Sequence, residues 1–167
     1  MIINGSMLLK LEPIKNMSER KVKQFGVSSG LGEAGYDIRL KQSITFDARR
    51  PLDPLVIITN EQDVTKQTGR FCIASTIEEF QMPTNLVAVV HDKSTWARRG
   101  LSVFNTVIEP GWCGFLTLEL VYHGSELVEI PAGAGIAQCL FHQTSMQSKY
   151  EGKYQNALDK PQEAIHE

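Results

Sequence analysis

The sequence predicts an all-β protein that folds as a single domain. From Tyr36 onward, short runs of β-forming residues alternate with turn residues at spacings of about ten residues. No helical pattern of about 10–15 residues, which a βαβ fold would require, separates these runs. The chain has 167 residues, of which 42% are hydrophobic, enough for one buried core and too few for two domains. We therefore expect a β-sandwich or β-barrel over residues 1–167.

The elements expected along the chain are a short helix and then a series of strands. Ser18 is placed as the N-cap and Gly26 as the stop of a helix over residues 18–25. The strands expected after it are YDIRL, SITF, LVIIT, RFCIAS, NLVAVV, LSVFNTV, FLTLELVY, ELVEI and GIAQCLFH. Residues 143–167 are polar and almost without apolar periodicity, which predicts an arm that is either disordered or ordered by another surface.

Composition excludes several classes of function. The net charge of −2 and the pI of about 6.1 provide no basic face for nucleic acid. No apolar run approaches the ~20 residues that span a bilayer, and the N-terminus lacks the apolar region of a signal peptide. We expect a soluble, cytosolic protein without a membrane partner.

The cysteines and histidines indicate neither a disulfide nor a metal site. Cys72, Cys113 and Cys139 are odd in number and widely spaced, which favours buried thiols in a reducing compartment. No CxxC pair occurs, and the histidines share no spacing that would place them on one helix face. A dedicated zinc site is therefore not expected.

The segment HDKSTWARRG, residues 91–100, concentrates cationic and hydroxyl side chains directly after the apolar run NLVAVV. One interpretation is a solvated turn that follows a strand. The other is a site for an anion, to which clustered lysine, arginine and hydroxyl groups would donate hydrogen bonds. The charge pattern alone leaves both interpretations open.

A carboxylate lies within the strongly apolar strand FLTLELVY. Strand alternation directs Glu119 to one face and its neighbours Leu118 and Leu120 to the other, so apolar residues surround it. Desolvation of that kind raises a carboxyl pKa toward the range in which the group both takes and gives a proton near neutrality. A glutamate on an edge strand facing water is the alternative.

Five motifs follow one another along the chain: GYDIRL, DKSTWARRGL, IEPGWCGFLTLEL, AGAGIAQCLF and YEGKYQ. In their order and approximate spacing they resemble the dCTP deaminase family of the dUTPase-like superfamily. The resemblance covers roughly residues 35–155 of this chain. It implies a distorted β-barrel of jelly-roll type, assembled as a homotrimer with shared sites, in which residues 143–167 form a C-terminal arm.

The resemblance implies hydrolytic deamination of dCTP to dUTP and ammonia, with Mg²⁺ accompanying the triphosphate and without zinc. The H-x-E and P-C-x-x-C signature of zinc deaminases is absent from the sequence. The implied catalytic residues are Glu119 as general base, Ser94 steadying the attacking water, and Arg98. The residues implied in substrate binding are Lys93, Thr95, Val107, Glu109, Trp112, Gln138, Tyr150, Lys153 and Tyr154.

Within that set, the resemblance assigns Glu109 to the deoxyribose 3′-hydroxyl and Trp112 to packing near the sugar. The resemblance assigns the binding of the phosphates to the arm and to a cluster of cations: Lys93, Arg98, Arg99, Lys149 and Lys153. The resemblance also allows dTTP as a feedback inhibitor. It places the protein in the cytoplasm of a bacterium or, if phage-encoded, of its host.

The chain departs from the family pattern beside the expected base pocket. Residues 102–107 form a shorter segment than in the family, and Val107 stands where an arginine is common. Glu109 replaces an aspartate, and Ala157 replaces the glutamine that ends the arm motif. We expect altered base or triphosphate recognition, with room beside C5 for a 5-substituted cytosine, unless neighbouring side chains refill the space.

Three other functions remain open on the same scaffold. They are a bifunctional deaminase and dUTPase that releases dUMP, a dUTPase-like pyrophosphatase, and a nucleotide-binding regulator without catalysis. Glu119 favours the deaminase, because a pure dUTPase needs no carboxylate at C4. Ala97 is similar to the residue of monofunctional deaminases, since bifunctional members often have glycine there.

Overall fold

The computed structural model describes residues 1–166; Glu167, the last residue of the expected domain and arm, lies outside them. Within residues 1–166 the chain forms fourteen strands and two short helices. In order they are β1 (Ile2–Ile3), α1 (Gly5–Leu11), β2 (Lys21–Gln24), β3 (Val27–Leu31), β4 (Tyr36–Arg39), β5 (Ser43–Asp47), β6 (Leu55–Thr59), β7 (Val64–Thr68), β8 (Phe71–Gln81), β9 (Leu86–Asp92), α2 (Ser94–Ala97), β10 (Leu101–Val103), β11 (Val107–Ile108), β12 (Cys113–Tyr122), β13 (Leu127–Ile130) and β14 (Gly135–Gln143). The predicted all-β class is confirmed.

The strands form three antiparallel sheets. One has seven strands in the order β11-β9-β14-β4-β3-β2, with β1 also paired to β14. The second has the order β10-β12-β8, and the third has the order β13-β5-β6-β7. Most neighbours in these sheets are not consecutive in sequence, so the fold depends on long-range pairing.

All three sheets contribute to one apolar core. Phe141 of β14, Leu118 of β12 and Phe46 of β5 belong to the same cluster of buried side chains. Phe46 and Tyr122 of β12 also form a tilted aromatic pair with ring centroids 5.5 Å apart. Burial of such large side chains contributes about 1.5–3 kcal/mol each and holds the sheets against one another.

The helix predicted over residues 18–25 is wrong. Residues 21–24 are β2, which pairs with β3 through Gln24 opposite Val27. Phe25 and Gly26 between them have φ of 55° and 73°, the positive values of a type I′ hairpin turn. Gly26 therefore turns a hairpin instead of stopping a helix, and the helix near the N-terminus is α1.

The strand predicted as LSVFNTV is interrupted. Its first part is β10, which pairs with β12, and its last residue, Val107, begins β11, which pairs with β9 of another sheet. Residues 104–106 pass from one sheet to the other, and we call them the crossing segment. The remaining predicted strands are present, whereas β1, β2, β3 and β7 were not predicted.

The C-terminal arm is ordered by its own chain. Phe115 N–H donates to Ala157 O at 3.1 Å, and Asn156 N–H donates to Cys113 O at 3.0 Å. The arm therefore runs beside the start of β12, instead of being disordered or requiring a different surface. No helix in residues 1–166 is long and apolar enough to cross a membrane.

Candidate active site

A cavity of about 420 Å³ lies between β12, the crossing segment and the arm. Its volume falls within the range that small-molecule ligands use. In the part of the chain that the structure describes, no lysine, arginine or histidine lines it. The polar side chains in its wall are Asn105, Thr106, Glu109, Thr117, Glu119, Tyr150, Tyr154, Gln162 and Glu163.

Strand β12 supplies one wall of the cavity, and a bulge decides which side chains reach it. The register with β8 shifts between Phe115 and Thr117, and Leu116 lines the cavity together with both. Beyond the bulge the alternation is regular, so Leu118 and Leu120 are fully buried. Glu119 lies on the opposite face and lines the cavity.

The Glu119 carboxyl is half-buried, and desolvation raises its pKa. Its backbone is held on the side of the crossing segment. Phe104 N–H donates to Glu119 O at 2.9 Å, and Glu119 N–H donates to Asn105 Oδ1 at 3.0 Å. A carboxyl with a raised pKa in a partly closed cavity has the properties required of a general acid and base.

The second wall follows β11 and contains Glu109 and Trp112. Trp112 is buried, stacks near Phe80 with centroids 6.0 Å apart, and donates from Nε1 to Tyr154 O at 2.7 Å. The carbonyl of Glu109 accepts from Trp112 N–H at 3.2 Å, which closes a turn through Gly111. Glu109 is exposed at this turn, with its side chain at the cavity.

Gln155 fastens the arm to this wall. Its Oε1 accepts from Cys113 N–H at 2.8 Å, and its Nε2 donates to Gly111 O at 2.9 Å and to Tyr150 O at 3.0 Å. Two residues later, Ala157 lies against Gly114, where an added Cβ would be 2.5 Å from Ala157 N. Glycine at 114 therefore permits the arm to approach β12.

The last part of the arm, residues 162–165 and here called the tail, turns back over the cavity. Gln162 N–H donates to Thr117 Oγ1 at 2.9 Å, and Ile165 N–H donates to the Tyr154 hydroxyl at 3.2 Å. Lys153 Nζ donates to the Ile165 carbonyl. Lys153 and Tyr154, predicted as phosphate ligands, thus contact the chain's own tail.

The residues predicted around α2 lie apart from this cavity. None of Lys93, Ser94, Thr95, Arg98 and Gln138 lines it. The two hydroxyl residues and Arg98 are exposed, and Trp96 fixes the helix by donating from Nε1 to Gly135 O at 2.7 Å. One chain therefore brings together Glu119, Val107, Glu109, Trp112, Tyr150 and Tyr154, and presents the α2 group elsewhere.

Lys93 and Gln138 converge on a buried carboxylate that the sequence reasoning missed. Asp37 Oδ2 accepts from Lys93 Nζ at 2.6 Å and from Ser28 Oγ at 2.9 Å. Its Oδ1 accepts from Gln138 Nε2 at 3.3 Å. An aspartate inside the buried run YDIRL was the available signal, because a buried carboxylate requires partners.

The cysteines have no role at this site. Cys72 and Cys139 are buried, and desolvation raises the pKa of each thiol, for Cys72 to about 12. The prediction of buried thiols is confirmed for these two, while Cys113 is half-buried. Among residues 1–166, no group of three or more His, Cys, Asp or Glu side chains is placed to hold a metal ion.

Comparison with known proteins agrees with this architecture. A family model described as dCTP deaminase-like matches residues 9–144. The dCTP deaminase of Campylobacter jejuni subsp. jejuni serotype O:2 is 34% identical over 164 residues, covering 89% of this chain and 88% of the relative.

Solved structures share the fold at lower identity. The native dUTPase of EIAV aligns with a TM-score of 0.53 at 19% identity, over 83% of this chain and 93% of that one. A 2′-deoxycytidine 5′-triphosphate deaminase from Agrobacterium tumefaciens aligns with a TM-score of 0.58 at 18% identity, over 84% of this chain and 47% of that one. These likenesses confirm the predicted dUTPase-like fold.

Proposed function

This chain belongs to the dCTP deaminase-like family, and from that premise we propose that it hydrolyses dCTP to dUTP and ammonia. The observation that carries the proposal is the Glu119 carboxyl, half-buried in a cavity of ligand size with its pKa raised by desolvation. A dUTPase reaction takes place at the phosphates and would not require a carboxyl at C4 of the base.

In the proposed mechanism, Glu119 exchanges protons with the cytosine ring and a water molecule. The Glu119 carboxylate takes a proton from water as the water oxygen bonds to C4, and it passes that proton to N3, so that the N3–C4 double bond becomes single. Glu119 then takes the proton of the new C4 hydroxyl and gives it to the amino group. The bond from C4 to that nitrogen breaks as the C4 carbonyl forms, which yields the uracil ring and ammonia without zinc.

The triphosphate requires cations that the cavity of one chain does not contain in its described residues. Clustered lysine and arginine are needed to attract a polyanion to a protein with a net charge of −2. We propose that α2 of a neighbouring subunit brings Ser94, Thr95 and Arg98 to the cavity, in a homotrimer. Lys153 joins them when the nucleotide displaces the Ile165 carbonyl, and Mg²⁺ arrives with the triphosphate as part of the substrate.

One assay tests the reaction. Purified protein is incubated with dCTP and Mg²⁺, and ammonia, dUTP, dUMP and pyrophosphate are measured, with and without a zinc chelator. Ammonia and dUTP in equal amounts, unaffected by the chelator, are expected. Ammonia together with pyrophosphate and dUMP would establish the bifunctional enzyme. Pyrophosphate from a parallel incubation with dUTP, when dCTP gives no ammonia, would establish the dUTPase. Binding of dCTP without any product would leave a regulator.

A further version of this assay addresses regulation, and the substrate indicates the cellular location. Adding dTTP tests the feedback inhibition that we propose, with dATP at the same concentration as the control for general competition. The substrate is a metabolite of the cytoplasm, and we place the protein there.

A mixing experiment tests the shared site. Glu119→Gln and Ser94→Ala subunits, each inactive alone, are refolded together. If each site draws Glu119 from one subunit and Ser94 from its neighbour, activity returns, up to about a quarter of wild type by random mixing. Sedimentation as an active monomer, or a mixture that stays inactive despite mixed trimers, would contradict the arrangement.

A further inference from the structure

The Asn105 side chain is bonded to the backbone of the strand that carries Glu119. Its Oδ1 accepts from Glu119 N–H at 3.0 Å, and its Nδ2 donates to Thr117 O at 2.7 Å. Asn105 also lines the cavity. One amide therefore spans the backbone on both sides of Leu118.

These bonds continue the β10–β12 ladder beyond its last backbone pair. The register ends with Val103 opposite Leu120, and Phe104 N–H then donates to Glu119 O. In a regular antiparallel ladder the return bond would run from Glu119 N–H to the Phe104 carbonyl. Here the Asn105 amide accepts that bond, because the chain turns away toward β11 after Phe104.

The early departure of the chain matches the short segment noted in the sequence. Phe104 is 55% exposed, so its side chain is not part of the buried core at this point. Beyond Asn105, Thr106 O accepts from Val90 N–H at 3.1 Å and already belongs to the other sheet. Asn105 thus links the crossing segment to the cavity wall where the two sheets separate.

We propose that Asn105 is a positioning residue for the deamination, fixing the Thr117–Glu119 backbone so that the Glu119 carboxyl stays directed into the cavity. The inference rests on the proposed function. The oxygen and one amide hydrogen of Asn105 are engaged by β12, so the side chain holds the backbone that carries the general base.

Few titratable side chains lie in the cavity near Glu119. The titratable side chains that share the cavity with Glu119 are Glu109 and Glu163, with Tyr150 and Tyr154 from the arm. The neighbouring strand β8 places Ile73 opposite Glu119, and the crossing segment places Phe104 there. A new charge or a new water path at position 105 should therefore act directly on Glu119.

Two substitutions of Asn105 should shift the pH profile of kcat/KM in opposite directions. Asn105→Ala removes both bonds and admits water, so the acid limb of the kcat/KM profile should move to lower pH. Asn105→Asp keeps the acceptor and adds a like charge, so the limb should move to higher pH. In both variants kcat should fall, by up to about 100-fold, with KM changed much less.

The pKa of Glu119 is also measured without turnover, by ¹³C NMR titration of glutamate carboxyls, with Glu119→Gln giving the assignment. It should fall in Asn105→Ala and rise in Asn105→Asp. If wild type does not deaminate dCTP, the proposed function fails, while this titration still decides the role of Asn105. An unchanged pKa in both variants would overturn the inference.

Asn60→Ala is the matched control. Asn60 Oδ1 accepts from Gln62 N–H at 2.9 Å and from Asp63 N–H at 2.8 Å, in the turn between β6 and β7. Its loss should lower Tm while leaving the pH profile unchanged. If Asn105→Ala likewise lowers Tm alone, Asn105 is merely structural; if it does not fold, Asn105→Asp decides.

Discussion

Lys93 and Asp37 form a buried ion pair, with Lys93 Nζ 2.6 Å from Asp37 Oδ2 and side-chain exposures of 10% and 4%. The pair joins β4 to the residue that directly precedes α2. It therefore fixes the start of the helix that carries Ser94 and Arg98, and it neutralises one of the cations expected to meet the triphosphate.

Asp37→Asn should destabilise the fold strongly, because it leaves the Lys93 ammonium buried without a counter-charge. We expect a loss of about 3–5 kcal/mol in the free energy of unfolding, measured with urea. Glu79→Gln is the control, since the Lys15–Glu79 pair has the same 2.6 Å separation but side chains 45% and 37% exposed. Its loss should be at most about 1 kcal/mol; equal losses would show that the Asp37 pair is not specially buried.

Glu119→Gln should lower deamination by at least about 10²–10⁴-fold and leave nucleotide binding largely intact. Glutamine keeps the shape of the side chain and removes proton exchange. Turnover is measured as ammonia release and binding by calorimetry with dCTP. Undiminished turnover would place the chemistry on another group.

The same variant should show a pH-dependent gain in stability. Because burial raises the Glu119 pKa, the folded state binds this proton more tightly than the unfolded chain. Wild type therefore loses stability, relative to Glu119→Gln, as pH rises from the ordinary glutamate value of about 4.3 through the raised value. The difference in Tm should be small at the acidic end and grow toward neutrality, with Glu129→Gln, at an exposed residue of β13, as the control for charge removal.

Displacing the arm should raise KM and lower kcat together, because the arm closes the cavity. Truncation after Ser148 removes arm residues 149–167, and Gly114→Ala displaces the arm in the full chain by placing a Cβ 2.5 Å from Ala157 N. Gly69→Ala is the matched control, since Gly69 has a φ of 121° against 132° at Gly114 and nothing within 4 Å. Normal kinetics in both arm variants would mean that the arm does not serve the reaction.

The shortened segment should permit a substituent at C5 of cytosine. Val107 lines the cavity and is 43% exposed, so its own chain does not bury it. One methyl group in an apolar pocket changes selectivity by about 1–3 kcal/mol, so 5-methyl-dCTP should be deaminated alongside dCTP, and the difference should show as a ratio of kcat/KM values. A kcat/KM more than about a hundredfold below that of dCTP would contradict this.

Strands that consist of β-forming residues could be predicted from the local sequence alone. Strands β5 and β12 are runs of β-forming residues bounded by turn residues, and both were predicted from that composition; β5 alternates between buried and half-buried residues. Strands β2 and β7 were missed because KVKQ and VTKQT lie almost wholly exposed at sheet edges, where the neighbouring strand decides the conformation.

Some features of the candidate site could also be predicted from the local sequence, and others could not. The apolar surroundings of Glu119 are encoded within one strand, and its place in a half-buried wall could be predicted. The Lys93–Asp37 pair joins residues 56 positions apart, and the Asn105 amide replaces a backbone bond. Neither contact has a local signature, because each depends on how the sheets meet.

The cavity of a lone chain has a consequence for the timing of activity. Glu109, Glu119 and Glu163 line it without a cation among the described residues, so a newly made subunit repels a polyphosphate from its own binding pocket. Under the proposed assembly, a subunit acquires its attraction for nucleotide at the moment that it acquires a neighbour. Immature chains then leave the nucleotide pool untouched, and the specific activity of the enzyme decreases on dilution to concentrations at which the subunits dissociate.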